Sequence, residues 1–476
     1  MCRMNNHIAR RCRAFLLGEV MDYQDFIGIK RVDVSRSGFE PRNISGDLFD
    51  YQRHCVEFAL RAGRSAMFLD TGLGKTFCQL EFAREVVEHT NKPVLVLTPL
   101  AVAAQTARES EKFGIDAAVV RDGSDVRTAI NITNYDRLDR FDVSQFSGVI
   151  LDESSILKNF NGRTRNALVN AFRNTPYRLA CTATPSPNDH TELGNHSEFL
   201  GVLNHADMLP RWFINDTMNT GDWRLKGHAV KPFWDWVAAW SRCVSRPSDL
   251  GFSDFGHVLP DLNIERHVID FESESESQGQ LFASPELSAT GIHAVKKESV
   301  EHRSAKVAEM ANASNEPWLI WCDTDLEADQ LKRLIPDAVE VRGSDKVEHK
   351  ESALLGFADG SIRVLITKPS IAGFGMNWQH CNNMAFVGLT YSYESFYQAV
   401  RRCWRFGQLR PVNAHLVMTH AEAAIWRNVA GKAESHDAMK REMREAMQRN
   451  AGIQIEQRAA YVPQKSANLP QWLRRS

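Results

Sequence analysis

A seven-residue turn constrains this chain more than any other feature. Residues 70–76 read Asp-Thr-Gly-Leu-Gly-Lys-Thr and follow the apolar run Ser65-Ala66-Met67-Phe68-Leu69. The pattern predicts a strand over 66–70, a glycine-rich turn, and a helix over 75–89. Such a turn cradles phosphate. Gly72 and Gly74 let backbone N–H groups converge on anionic oxygens, and the helix N-terminus faces the same charge. Thr71, Gly72, Leu73 and Gly74 then line a nucleotide's phosphates, Lys75 reaches the β/γ-phosphates, and the Thr76 hydroxyl can ligate Mg²⁺. The strict motif is not met, because Leu69 stands where its first glycine belongs. The competing reading, a plain Gly/Lys surface turn, is weakened by the strand before it and the helix after it.

At 476 residues the chain has room for two to four domains. No apolar stretch approaches the ~18 residues of a membrane span. The first twenty residues carry Arg3, Arg10, Arg11 and Arg13 around the short apolar run Ala14-Phe15-Leu16-Leu17, too short for a secretory signal. Residues 1–42 are expected to form an N-terminal extension, with Met21 opening a cleaner sequence. Nine cysteines contain no C-x-x-C pair and sixteen histidines no H-x-x-x-H pair. That argues for a reducing, cytoplasmic setting and against a zinc site or disulfide framework. A net charge of −2 means that any nucleic-acid binding comes from local basic and backbone surfaces.

Along the chain, strand and helix patterns alternate twice. Strands are expected at 66–70, 93–98, 130–133, 148–152 and 178–181, and again at 317–322, 338–342, 362–367, 384–389 and 412–418. Short apolar strands of this kind suit parallel sheets covered on both faces. Between the two sets, residues 201–262 are rich in aromatics, including Trp212, Trp223, Trp234, Trp236 and Trp240. They read as a helical subdomain packing its own core, with base stacking as the alternative. The repeat Glu272-Ser273-Glu274-Ser275-Glu276-Ser277 reads as a loop, and 421–449 has helical spacing with many charges.

Val149-Ile150-Leu151-Asp152-Glu153 is an apolar strand ending in two acids. Asp152 can hold Mg²⁺ on the phosphates, and Glu153 can orient or deprotonate an attacking water. Thr182-Ala183-Thr184-Pro185 follows the next strand and could couple the nucleotide site to the second half. In Gln398-Ala399-Val400-Arg401-Arg402-Cys403-Trp404-Arg405-Phe406-Gly407-Gln408, Arg402 and Arg405 are expected on one helix face. From there both guanidinium groups can reach a transferring phosphate.

Taken in order, these runs resemble superfamily 2 helicases and translocases, and more closely their SWI/SNF-like branch. Leu48-Phe49-Asp50-Tyr51-Gln52 resembles the adenine-reading segment, Thr98-Pro99-Leu100 and Ile132-Thr133-Asn134-Tyr135-Asp136 the nucleic-acid motifs of the first lobe. Ile156-Leu157-Lys158-Asn159 resembles the branch's R-I-K-N run, and Arg342-Gly343-Ser344 its H-G-S element. Thr367-Lys368-Pro369 through Gly373-Phe374-Gly375-Met376-Asn377 resembles A-G-G-x-G-x-N-L, and 398–408 resembles Q-A-x-D-R-x-x-R-x-G-Q. Arg246-Pro247-Ser248-Asp249-Leu250 resembles its hinge. Two departures stand out: Asp152-Glu153 continues Ser-Ser instead of Ala-His or x-Asp, and Arg401 occupies a position usually Asp or Gly.

The resemblance implies an α/β fold of two tandem RecA-like, doubly wound parallel-sheet lobes with an ATP cleft between them. Lobe 1 is expected over 43–200, a helical insertion at the hinge over 201–262, lobe 2 over 263–450, and a tail over 451–476. It implies ATP and Mg²⁺ as cofactors, Gln52 as the adenine contact, and Gly375 as a second-lobe nucleotide contact. Arg402 and Arg405 would act as arginine fingers. The implied partner is DNA, duplex or single-stranded, with RNA less favoured, in a monomeric motor of bacterial or phage type. An RNA helicase, a DNA-binding scaffold with a dead ATPase, and a P-loop kinase or GTPase are the other readings. The last explains the phosphate turn but not the arginines.

Overall fold

The computed structural model describes residue 34 and residues 36–450, apart from 101, 160–161, 216–222, 271–288 and 373–376. Most of the N-terminal extension, the Glu/Ser repeat, the tail from 451, and Gly375 with its neighbours lie outside the described residues.

The first half contributes β1 (Arg64–Leu69), β2 (Val94–Thr98), β3 (Ala117–Val119), β4 (Ile130–Asn134), β5 (Gly148–Asp152) and β6 (Tyr177–Cys181). A short antiparallel ribbon of β7 (Phe213–Asn215) and β8 (Trp223–Leu225) stands outside this sheet. Then β9 (Ser241–Val244) returns beside β1, giving the order β3-β4-β2-β5-β6-β1-β9 with parallel pairs throughout. Every residue of β2, β4, β5 and β6 is buried, because helices cover both faces.

The second half contributes β10 (Leu262–Ile269), β11 (Trp318–Cys322), β12 (Ala338–Glu340), β13 (Val364–Thr367), β14 (Asn383–Val387) and β15 (Val412–Thr419). They form a second parallel sheet in the order β10-β15-β14-β11-β13-β12. The architecture is therefore two tandem RecA-like lobes.

The stretch 201–262 is not a separate helical body. Its strand β9 completes the lobe 1 sheet, and Trp212, Trp234, Trp236 and Trp240 are buried in one cluster with Phe68 and Phe199. These four indoles are core, so base stacking on them is excluded; Trp223 is half-buried. The expected lobe boundary at 200 thus falls inside the lobe 1 core.

The helix Ala423–Asn450 ties the lobes together. Ile425, Trp426, Val429 and Ala433 join the lobe 2 core. One stretch later, Met439, Met443, Ala446 and Met447 fill the tryptophan cluster of lobe 1. Residues recurring every three or four positions put each set on one helix face. Polar contacts flank the seam: Arg444 donates to Asp249 (2.9 Å), Arg449 to Asp235 (2.9 Å) and Lys432 to Asn188 (3.1 Å).

Candidate active site

Three neighbouring strands of lobe 1 deliver the expected residues to one edge. The order β5-β6-β1 is continuous, with Asp152 in register with Cys181 and Cys181 with Met67. The phosphate turn after β1, the acids ending β5 and Thr182 after β6 therefore share the carboxyl end of the sheet, where doubly wound folds bind ligands.

The turn itself is locally determined. Gly72 and Gly74 have φ of +95° and +74°, which favour glycine. A Cβ at Gly74 would lie 2.1 Å from the Gln52 amide nitrogen, and one at Gly72 2.9 Å from the Phe406 backbone nitrogen. The helix Lys75–Thr90 starts directly after Gly74. Gln52 supports the turn from behind: its side chain donates to the Leu73 carbonyl (2.9 Å) and accepts from Phe49 N–H (3.0 Å). It is buried and does not line the cleft described below.

Lys75 Nζ donates to Glu153 Oε1 at 2.7 Å, and Thr182 Oγ1 donates to Glu153 Oε2 at 3.2 Å. Gln79 Nε2 donates to Asp152 Oδ1 at 2.7 Å. Glu153 takes a left-handed backbone (φ +54°), rare for a residue with a side chain, and this conformation accompanies the return of its carboxylate over Lys75. Burial, with Glu153 adding repulsion, raises the Asp152 carboxyl above its ordinary range against the pull of Lys75 and Gln79. Burial works against the Lys75 charge too, but Glu153 and Asp152 outweigh it and raise its pKa.

Lobe 2 faces these groups across a cleft of about 350 Å³. Thr71, Gly72, Gly74, Lys75, Thr76, Asp152 and Glu153 line one wall, and Asn377, Gln398, Arg402 and Arg405 the other. The two arginines do not lie on a helix, contrary to expectation. The helix Tyr393–Val400 stops first, and 401–407 continue as turns. The Arg402 carbonyl accepts from Trp378 N–H (3.0 Å), and the Gln408 side chain donates to the Cys403 carbonyl (3.3 Å). At the helix end itself, the Gln398 carbonyl accepts from the Arg402 side chain (3.2 Å), and the Arg402 N–H turns to the Ala399 carbonyl (3.2 Å). Turns at 401–407 still aim both guanidinium groups into the cleft.

The donor set fits a nucleotide polyphosphate with Mg²⁺. Burial pushes Arg402 down to about 10, and burial with repulsion from Arg402 and Arg401 pushes Arg405 to about 9. Such crowding of buried cations is relieved by an anion between them. Thr76 and Asp152 offer the hard oxygen donors that Mg²⁺ takes.

Several contacts carry no local signal. Arg401 donates to the Thr71 carbonyl (2.6 Å), so the residue that departs from the family pattern touches the phosphate turn from lobe 2. Lys440 of the long helix pairs with Asp70, which opens that turn, at 2.5 Å. His196 meets Ser154 at 3.1 Å behind the acidic pair, and burial lowers its pKa to about 4, so the ring is neutral. Lys158 pairs with Glu394 of lobe 2. Each joins residues far apart in sequence.

The SNF2-related domain matches residues 51–233, and the helicase conserved C-terminal domain matches residues 302–407. The chain thus carries an SNF2-related domain followed by a helicase conserved C-terminal domain. The SWI/SNF-related matrix-associated actin-dependent regulator of chromatin subfamily A-like protein 1 of Xenopus laevis is 28% identical over 175 residues, 34% of this chain and 18% of that protein. Its Xenopus tropicalis counterpart is 27% identical over 179 residues, 35% of this chain and 18% of its own length. The chain thus matches less than a fifth of these relatives. A solved structure, the Sulfolobus solfataricus SWI2/SNF2 ATPase core in complex with dsDNA, aligns over 87% of this chain and 97% of its own at 17% identity and a TM-score of 0.41. Among the described residues no helix is long and apolar enough to cross a membrane.

Proposed function

We propose that the protein hydrolyses ATP under stimulation by DNA and uses the cycle to translocate along or remodel it. One observation carries this reading: the cleft is lined by Lys75, Thr76, Asp152 and Glu153 from one lobe and by Arg402 and Arg405 from the other. Mg²⁺, held by Thr76 and Asp152, would neutralise developing phosphate charge. The turn at 71–74 and Lys75 bind and orient the phosphates. Glu153, once its bond to Lys75 is released, positions water. Arg402 and Arg405 offset charge from across the cleft, so hydrolysis depends on lobe closure. DNA spanning both lobes would favour the closed state. The DNA partner is supported by the match to the SNF2-related domain; the monomeric state is part of the same proposal.

ATPase rates with duplex DNA, single-stranded DNA and RNA test it. Stimulation by DNA supports the reading. Equal or greater stimulation by RNA would favour an RNA motor, and no turnover with any of them would favour a scaffold.

A further inference from the structure

Away from the ATP cleft, the outer edge of lobe 2 carries two histidines and a glutamate with no part in phosphate chemistry. Strand β10 is the edge of its sheet and pairs in parallel with β15, placing Glu265 opposite His415. His267 lies two positions beyond Glu265, on the same strand face. His267 Nε2 and His415 Nδ1 are 3.0 Å apart; the Glu265 Oε2 atom is 3.4 Å from His415 Nδ1 and 3.9 Å from His267 Nε2. The His415 ring is further fixed by stacking on Trp318 at 5.4 Å.

We propose that Glu265, His267 and His415 bind one zinc-like transition-metal ion, which clips the edge strand β10 to β15. Ligand atoms about 2.0–2.1 Å from a tetrahedral Zn²⁺ stand about 3.4 Å from one another. The three observed separations bracket that value. Without a metal, one of the two facing ring nitrogens must carry the hydrogen of their shared bond; the ion replaces that proton and accepts both lone pairs. Two imidazoles and a carboxylate suit Zn²⁺, Co²⁺ or Ni²⁺, whereas Mg²⁺ and Ca²⁺ prefer oxygen alone. Glu265 is exposed, so a fourth position opens to water. Cysteine and histidine spacing carries no signal of such a site, because its ligands come from two strands far apart in sequence.

Full-length protein stripped with EDTA and returned to metal-free buffer is titrated with Co²⁺ while its visible d–d absorption is read. The expected result is an intense tetrahedral band that saturates at one equivalent, is displaced by Zn²⁺ and survives excess Mg²⁺. His267→Asn and His415→Asn should each abolish the band, and Zn²⁺ should raise the melting temperature of the parent but not of the variants. No saturable band in the parent, or a band that persists in the double variant, overturns the site and leaves a Glu–His–His hydrogen-bond relay. Should a histidine variant fail to fold, Glu265→Gln replaces it: its exposed side chain contributes little packing, and unchanged Co²⁺ affinity there overturns the proposal equally.

Discussion

Glu153 has both carboxylate oxygens engaged, one by Lys75 and one by Thr182, so the residue that would position water is held in reserve. Glu153→Gln keeps the shape and, with Asp152 and Thr76 intact, should retain Mg²⁺-ATP while slowing turnover by about 10²–10⁴-fold. Equilibrium nucleotide binding and steady-state ATPase rates check both halves; parental turnover would remove Glu153 from the chemistry. Lys75→Ala deletes the cation facing the β/γ-phosphates and should cost about 10²–10³ in turnover with circular dichroism unchanged. Rapid hydrolysis by that folded variant would refute the phosphate cradle. These residues were legible because phosphate chemistry demands them at short spacing: a turn of two glycines, a lysine and a threonine, then two acids at a strand end. Gln52 was expected as an adenine contact; its side chain braces the turn from behind. Arg401, His196 and Lys440 were not legible as site residues, since each finds its partner through the tertiary fold.

At the scale of elements, continuous apolar runs such as Val94–Thr98 and Trp318–Cys322 announced themselves, because strands buried on both faces have little polar content. Strand β10 did not: Leu-Asn-Ile-Glu-Arg-His-Val-Ile mixes charge into an exposed edge. Nor did β9, whose Ser-Arg-Cys-Val is short and half polar. The arginine segment was recognisable by its residues, but its helix ends at Val400, where the Arg402 side chain takes the Gln398 carbonyl, and the one-face spacing did not announce that end. The charged helix Ala423–Asn450 was foreseen as a helix, but not as a brace. Its Lys440–Asp70 pair is largely, not fully, buried on both sides. Burial opposes the Asp70 charge, yet Lys440 and Arg401 hold the carboxyl below its usual pKa. A depressed carboxyl stabilises the fold above its unfolded pKa, and that stabilisation is lost as pH falls through the folded value. Lys440→Met should therefore cost about 3–5 kcal/mol at neutral pH. The penalty should shrink on acidification, as Asp70 becomes neutral in the variant. Urea melts across that range check it; a penalty independent of pH would mean that Lys440 contributes packing alone.

For the molecule as a whole, the proposed chemistry requires both lobes. Arg405→Ala should reduce DNA-stimulated turnover by about 10³–10⁵-fold with little change in ATP affinity, and Arg405→Lys should rescue poorly because an ammonium lacks the planar fork. A silent Arg405→Ala would point to a single-lobe ATPase. An isolated lobe 1 ending at residue 200 is a poor test, since it lacks β9 and the helix Val230–Trp240. Removing residues 423–450 from the full chain is more telling: it should expose the tryptophan cluster, read as increased binding of a hydrophobic dye and loss of a sharp thermal transition. The placement of Met447 against Cys243, 204 positions earlier, also bears on biosynthesis. A ribosome has finished every strand of the first lobe long before it makes the methionines that cover the indoles. The nascent N-terminal half must wait with an oily patch uncovered, and cells making this protein quickly should depend on chaperones for its yield.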